Sequence, residues 1–222
     1  MTRCLVNRSP ESPQFIVDNS VWRVRPKGIA LAGLAIGMTI IPCMWFGDID
    51  VSTQLAKVEL PGDLNKAIQV SEVFAHGAGV IAIFATLWWV DIERRSTLQF
   101  AALMTFVSGF VANGMKLVFS RIRPHSADII DSAESWLPVF HGSFWDSTQR
   151  SFPSGHSATA IAFAIGLSMV YPRGKYFFAV FAILACLQRI VSQAHYPSDV
   201  LAGIAIAFLC CSICMIWAPT QD

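Results

Sequence analysis

Three polar clusters interrupt an otherwise apolar chain, and each holds residue types suited to handling phosphate. The first runs from Lys116 to Arg123 and Pro124. Lys116 and Arg123 are seven residues apart, so a helix continued through them presents both from one face. Pro124 disfavours helical geometry at Arg123 and sets the expected helix end there. Two cations aimed at one place suit a bound polyanion. They equally suit Lys and Arg side chains snorkelling to lipid headgroups, and this cluster alone does not choose between the two.

The second cluster is Ser151-Phe-Pro153-Ser154-Gly155-His156-Ser157, just ahead of an apolar run. Ser or Pro in that place marks a helix N-terminus. Its free backbone N–H groups and dipole form a ready anion site. Gly155, lacking a side chain, lets an oxyanion approach the backbone. His156 stands where it would give a proton to a leaving oxygen. An ordinary helix cap with an incidental histidine would read the same way.

The third cluster is Arg189-Ile-Val-Ser-Gln-Ala-His195-Tyr-Pro197-Ser-Asp199. Pro197 suits the first turn of a new helix. Asp199 lies four residues after His195, close enough to accept a hydrogen bond from one ring nitrogen. Such a bond fixes the tautomer and leaves the other nitrogen as a directed nucleophile. A surface His–Asp pair at a helix start is the plainer alternative. Taken together, the clusters supply three cations, a helix-terminal amide nest and two histidines, one with a carboxylate to orient it. Phosphoryl transfer needs that set: charge on the equatorial oxygens neutralised, the nucleophile held in line, the leaving oxygen protonated. No carboxylate cluster suggests magnesium or zinc, so no metal and no cofactor is expected, the cations taking over a metal's electrostatic role.

The elements that must position these groups are membrane helices. Of 222 residues, 54% are apolar and only 14% charged, and mean hydropathy is +0.52. A soluble fold of this size needs more polar surface, so the surplus apolar area points to a bilayer. The net charge of +1 excludes a strongly basic nucleic-acid binder. Apolar runs near the required length of about 20 residues cover 28–46, 73–90, 98–118 and 200–217. Two shorter runs, 157–171 and 176–190, become spans if their helices extend into the flanking motifs. The expected fold is therefore all-α: a six-helix membrane domain over 28–218, preceded by a cytoplasmic segment, 1–27.

Arg3, Arg8, Arg23, Arg25 and Lys27 precede the first span without a hydrophobic stretch, so no cleavable signal peptide is read there. With the N-terminus cytoplasmic, that side also collects Arg94, Arg95, Arg173 and Lys175, which favours this orientation. An acidic first loop (Asp48, Asp50, Glu59, Asp63, Glu72) and all three clusters then lie on the extracytoplasmic side. Gly33 and Gly37 form a small-xxx-small pair suited to close helix packing. The 125–152 loop carries Trp136, Phe144 and Trp145, which suit a membrane–water interface. Cys210, Cys211 and Cys214 lie within a helical turn and read as packing residues rather than a metal site.

The three clusters resemble the signature of the type 2 phosphatidic acid phosphatase superfamily: Lys-x6-Arg-Pro, Pro-Ser-Gly-His and Ser-Arg-x5-His-x3-Asp. Lys116 through Arg123-Pro124, Pro153 through His156, and Arg189 through His195 to Asp199 match in spacing. Gln188 departs from the family's usual serine. The resemblance implies that Lys116, Arg123 and Arg189 bind phosphate oxygens, with hydrogen bonds from Ser154 and Gly155. It implies that His195 attacks phosphorus to form a phosphohistidine, oriented by Asp199. His156 then protonates the leaving lipid hydroxyl and later activates water. His125 is a weaker candidate for substrate contact, and His76, His141, Asp146 and Arg150 are assigned to surface or loop roles.

The implied partner is a membrane lipid phosphate of the phosphatidate, phosphatidylglycerophosphate, undecaprenyl pyrophosphate or lipid A type. The short loops and small size look bacterial, so with the orientation read from the basic loops the active site is expected on the outer side of an inner or plasma membrane. The soluble vanadium haloperoxidases share the pocket but not the apolar spans. A protein that holds or transports anionic lipid without chemistry is the alternative from another class. It has no use for a His195–Asp199 pair beside His156. Neither the oligomeric state nor the acceptor, water or otherwise, is legible.

Overall fold

Without water in a bilayer core, backbone polar groups must bond within their own segment, and the apolar runs accordingly form helices. The computed structural model describes residues 26–126, 131–140 and 146–218. Its helices are α1 (Pro26–Met38), α2 (Ile40–Phe46), α3 (Asp48–Ala56), α4 (Gly62–Val70), α5 (Gly77–Val90), α6 (Arg95–Met115), α7 (Gly155–Val170), α8 (Lys175–Val191) and α9 (Pro197–Trp217). Among the described residues there is no strand, only isolated bridges from Arg121 to Trp136 and to Arg150. Residues 1–25, including Cys4 and four of the N-terminal arginines, and His141, Phe144 and Trp145 lie outside the described residues.

The all-α architecture agrees with expectation; the count of spans is less simple. Among the described residues, four stretches are long and apolar enough to cross a membrane: Pro26–Phe46, Arg95–Met115, Pro172–Val191 and Pro197–Trp217. Gly62–Phe74 and Gly77–Val90 form a fifth only as a pair bent by 68°. The remaining apolar helix, α7, has 16 residues. It is the centre of the bundle, enclosed by α6, α8 and α9, with Ala158, Ala160, Ala162, Phe163 and Leu167 buried. Small side chains bring its neighbours close: Gly166 lies against Ala101 of α6. Large side chains such as Trp89, Phe110 and Trp217 point outward on the surrounding helices. Gly33 packs tightly on Ala205 and Phe208 of α9, as its motif suggested, while Gly37 meets nothing.

Two boundaries move, and both moves build the site. The third span was expected to carry a helix through Arg123, but α6 ends at Met115. Residues 121–123 leave the helix because their backbone finds partners in the long loop: Arg121 N–H donates to Gln149 O, Ile122 to Ser135 O, and Arg123 to Thr148 O. The same-face argument for Lys116 and Arg123 therefore fails, though both still reach one pocket. The second span was expected to begin at Val73. Instead Ser71–Phe74 is a 3₁₀ turn, and α5 starts at Gly77 with His76 Nδ1 accepting from Ala78 N–H at 3.3 Å. The acidic first loop is helical too, as α3 and α4, and two of its carboxylates point inward.

At the end of the bundle away from the motifs, Tyr171 donates to Asp91 at 3.0 Å and Arg94 pairs with the same carboxylate. The basic turns between α5 and α6 and between α7 and α8 are thus joined at one end. The three motifs meet at the other.

Candidate active site

A pocket of about 590 Å³ opens among α5, α6, α7 and the turn before α9. Lys116, Arg123, Gly155, His156, Arg189 and His195, all expected from sequence, line it together. The two remaining site candidates, Ser154 and Asp199, are fully buried behind this surface.

Each lining group is set by local chemistry. Pro197 opens α9, and Asp199 accepts from the Tyr196 backbone N–H at 2.9 Å, closing a capping arrangement. The preceding turn carries His195, whose N–H donates to Arg189 O at 3.1 Å, so Arg189 and His195 are tied through the backbone. The motif at α7 is tied in as well: Ser154 N–H donates to Asp199 O at 2.9 Å, and Ser151 Oγ to Asp199 Oδ2 at 2.5 Å. Ser154 Oγ caps α7, accepting from Ser157 N–H and Ser157 Oγ. That employs Ser154 in holding the turn, while Gly155 and His156 bring the helix N-terminus to the pocket wall. A side chain at Gly155 would collide with Asn113 of α6.

His195 Nδ1 lies 3.7 Å from Asp199 Oδ2, and no hydrogen bond reaches that nitrogen. The distance is too long for a hydrogen bond as it stands, although such contacts commonly tighten only with substrate bound. Nδ1 faces the carboxylate, which leaves Nε2 for the pocket. Burial pushes the imidazole down to about 4, against the opposing pull of Asp199. The ring is therefore neutral, with a lone pair to offer, throughout the neutral range.

Asp199 is held by a residue to which the motifs assigned no role. Arg121, inside the first motif, is completely buried and donates to Asp199 Oδ1 and to Asp48 Oδ2, each at 2.7 Å. Ser135, Ser198 and Ser132 take its other donors at 2.9, 2.8 and 3.3 Å. All five guanidinium N–H groups are thereby matched. The Tyr196 and Trp136 rings sandwich it at 4.0 and 4.9 Å. Burial works against its charge, but Asp199 and Asp48 outweigh that and hold its pKa above the usual value. Asp48 also accepts from the Ser198 backbone N–H at 2.9 Å. The available signals were a third cation in the first motif and an acid just past an apolar span.

The cations of the pocket are built differently. Arg123 Nε and Arg189 Nε are buried with no hydrogen-bond partner. Burial, with Arg123 alongside, pulls Lys116 down to about 8. Burial and Arg189 hold Arg123 below its usual value. Donors left without acceptors in a concave, cationic site suit an anion with several oxygens. Glu72, from the turn after α4, accepts from Arg189 at 2.9 Å. Of the other residues flagged by sequence, Arg150 lines the pocket, and the His76 ring lies 6.0 Å from that of His156. His125 is exposed, with Nδ1 2.8 Å from Gln193 O, and Asp146 caps a surface turn.

Comparison with known proteins supplies the family. The family model of the PAP2 superfamily matches residues 97–222, more than half of the chain and all three motifs. The chain belongs to the PAP2 superfamily. Within it, a lipid A 1-phosphatase from Rhizobium etli is 40% identical over 53% of this chain, a stretch spanning only 45% of that relative. A decaprenylphosphoryl-5-phosphoribose phosphatase from Mycobacterium tuberculosis is 31% identical over 70% of this chain and 81% of the relative. The crystal structure of a transmembrane PAP2-type phosphatidylglycerolphosphate phosphatase from Bacillus subtilis superposes with a TM-score of 0.55 at 18% identity, over 87% of this chain and 95% of that one. That likeness is one of fold. With its apolar helices, it makes this PAP2 protein a helical integral membrane protein.

Proposed function

We infer that the protein is a metal-independent phosphatase acting on a lipid phosphomonoester or pyrophosphate. The observation that carries this is the make-up of the pocket. One end holds Lys116, Arg123, Arg189, His156 and His195, while the other runs along Phe106, Gly109, Phe110 and Asn113 of α6. A phosphate ester with a long apolar tail fits both ends at once. Lys116, Arg123, Arg189 and the backbone N–H groups of Gly155 and His156 neutralise the phosphate oxygens, with Ser154 bracing the turn. His195 Nε2 attacks phosphorus, and Asp199 stabilises the imidazolium side of the resulting phosphohistidine. His156 gives a proton to the departing lipid oxygen, then takes one from the water that attacks the intermediate.

The bundle crosses the membrane six times on this reading. The α4–α5 pair makes one bent crossing, and α7, sheltered by its neighbours, makes a short one. Positive charge on the 91–95 and 171–175 turns assigns the opposite, motif-bearing end to the periplasmic or extracellular leaflet of a bacterial membrane. The relatives named as lipid A 1-phosphatase and as a prenyl-linked phosphoribose phosphatase support a lipid substrate without choosing one. The test is phosphate release from phosphatidate, phosphatidylglycerophosphate, undecaprenyl pyrophosphate and lipid A by detergent-purified protein in EDTA. Wild type should release phosphate from at least one, and His195→Ala and His156→Ala from none. Undiminished release by either variant sinks the histidine mechanism. Binding of these lipids without release by wild type favours the non-catalytic alternative.

A further inference from the structure

Two adjacent pairs tie α4 and the turn after it to the motif-bearing end of α8. Gln188 Nε2 donates to Gln69 Oε1 at 3.2 Å, and Arg189 donates to Glu72 Oε1 at 2.9 Å. Gln69 and Glu72, three residues apart, share a helical face. Gln188, the one departure from the family pattern, thereby anchors the segment that delivers Glu72. The same Glu72 oxygen lies 3.9 Å from His156 Nε2, a ring nitrogen with no hydrogen-bond partner. Arg189 grips Glu72 through one terminal nitrogen and keeps Nε unpartnered. Holding the carboxylate thus leaves a donor for phosphate.

We propose that Glu72 is a positioning residue of the reaction, the carboxylate partner of His156 as Asp199 is of His195. The proposal rests on the reading of His156 as the acid. In the first step His195 Nε2 bonds to phosphorus as the P–O bond to the lipid breaks; that bond's electron pair stays on the lipid oxygen, and the His156 proton goes to that oxygen. In the second, water attacks the phosphohistidine and gives His156 a proton. The O–P bond forms as the N–P bond breaks, and that electron pair returns to His195. His156 alternates between imidazolium and imidazole, and the imidazolium needs a counter-charge. Facing it are Arg189 from α8, Lys116 beyond α6, His195 before α9 and His76 before α5, with Arg123 and Arg150 lining the same pocket. None of these is an acid. Asp199 sits against Nδ1 of His195, so among the described residues Glu72 supplies the negative charge beside His156.

A competing role for the same contact is a placeholder, with the carboxylate occupying a phosphate position on Arg189 until substrate displaces it. The experiment compares full-length wild type, Glu72→Gln and Glu72→Asp, measuring kcat and KM against pH on the preferred lipid. Inorganic phosphate as inhibitor reports both folding and the cradle. Glu72→Gln should lower kcat about 10- to 100-fold near neutral pH, part of the roughly 10²–10⁴ that general acid catalysis supplies. The alkaline limb of kcat should move to lower pH, with inhibition by phosphate little changed and Glu72→Asp partly restored. The burst from an aryl phosphate with an acidic phenol as leaving group should survive, because that oxygen needs no proton. A pH profile superimposable on wild type overturns the proposal. So does tighter phosphate inhibition with unchanged kcat, which is the placeholder's signature. Failure to trap any phosphohistidine in wild type would instead remove the underlying mechanism and this proposal with it.

Discussion

Arg121 and Arg123 stand two residues apart in one motif and meet opposite fates. Arg121 enters a dry socket in which two carboxylates and three serine hydroxyls match its donors and two aromatic rings cover its faces. Arg123 turns to a water-accessible pocket shared with Lys116 and Arg189, and its Nε has no partner at all. Saturation marks a cation that holds structure; an unmet donor leaves one free to take a ligand, as the proposed phosphate site requires. The socket costs desolvation, which its ion pairs must offset. What it provides is a fixed Asp199 directly behind the proposed nucleophile.

Removing each arginine in turn separates these roles most sharply. Arg123→Ala should cut kcat/KM about 10²–10³-fold, the usual loss for one charge-stabilising donor in a site, and leave thermal unfolding in detergent almost unmoved. Arg121→Ala strands Asp48 and Asp199 without their cation. It should cost about 3–5 kcal/mol, a fall in Tm of roughly 6–20 °C for a chain of this size, with activity falling as folded protein is lost. Equal stability of the two variants would erase the distinction between socket and cradle.

A milder change sharpens the cradle from within. Lys116 titrates at about 8. Its pKa is depressed, so its charge is present below that value and is lost as pH rises through it. The alkaline limb of kcat/KM, which reports the free enzyme, should therefore fall about tenfold one unit above that pKa. Lys116→Arg keeps its charge, and its limb should extend to higher pH at some cost in geometry near neutrality. An unchanged limb would mean that another group governs it.

The fold class and most of the cradle were legible because they depend on local pattern. Apolar runs dictate helices, Pro197 starts α9, Ser154 caps α7, and His195 to Asp199 spans one turn. Long-range pairing is what the sequence conceals. Nothing local says that Asp48 reaches Arg121 across 73 positions, or that Glu72 reaches Arg189 across 117. Both acids read as members of a charged loop. The helical projection of Lys116 and Arg123 failed for a similar reason: loop residues 131–137 and 147–151 capture the backbone after Met115. Two residues that do share one pocket were thus brought there by the wrong geometry.

The smallest predicted effect concerns the apolar end of the pocket, where the cradle's rules no longer apply. Phe106, Gly109, Phe110 and Asn113 are spaced to lie along one face of α6, a lane leading from the cationic end at Lys116 toward lipid. Phe110 is 78% exposed at that edge, so it gives up little protein packing when shortened. Any tail contact it makes is non-directional and scales with area. Phe110→Ala should therefore raise KM for a long-chain lipid phosphate by about fivefold, equivalent to roughly 1 kcal/mol of apolar contact. For a short-chain, water-soluble phosphate, kcat and KM should stay at wild-type values. Equal effects on both substrates would show that the tail leaves by another route. An effect on kcat alone would show that Phe110 shapes the cradle and not the lane.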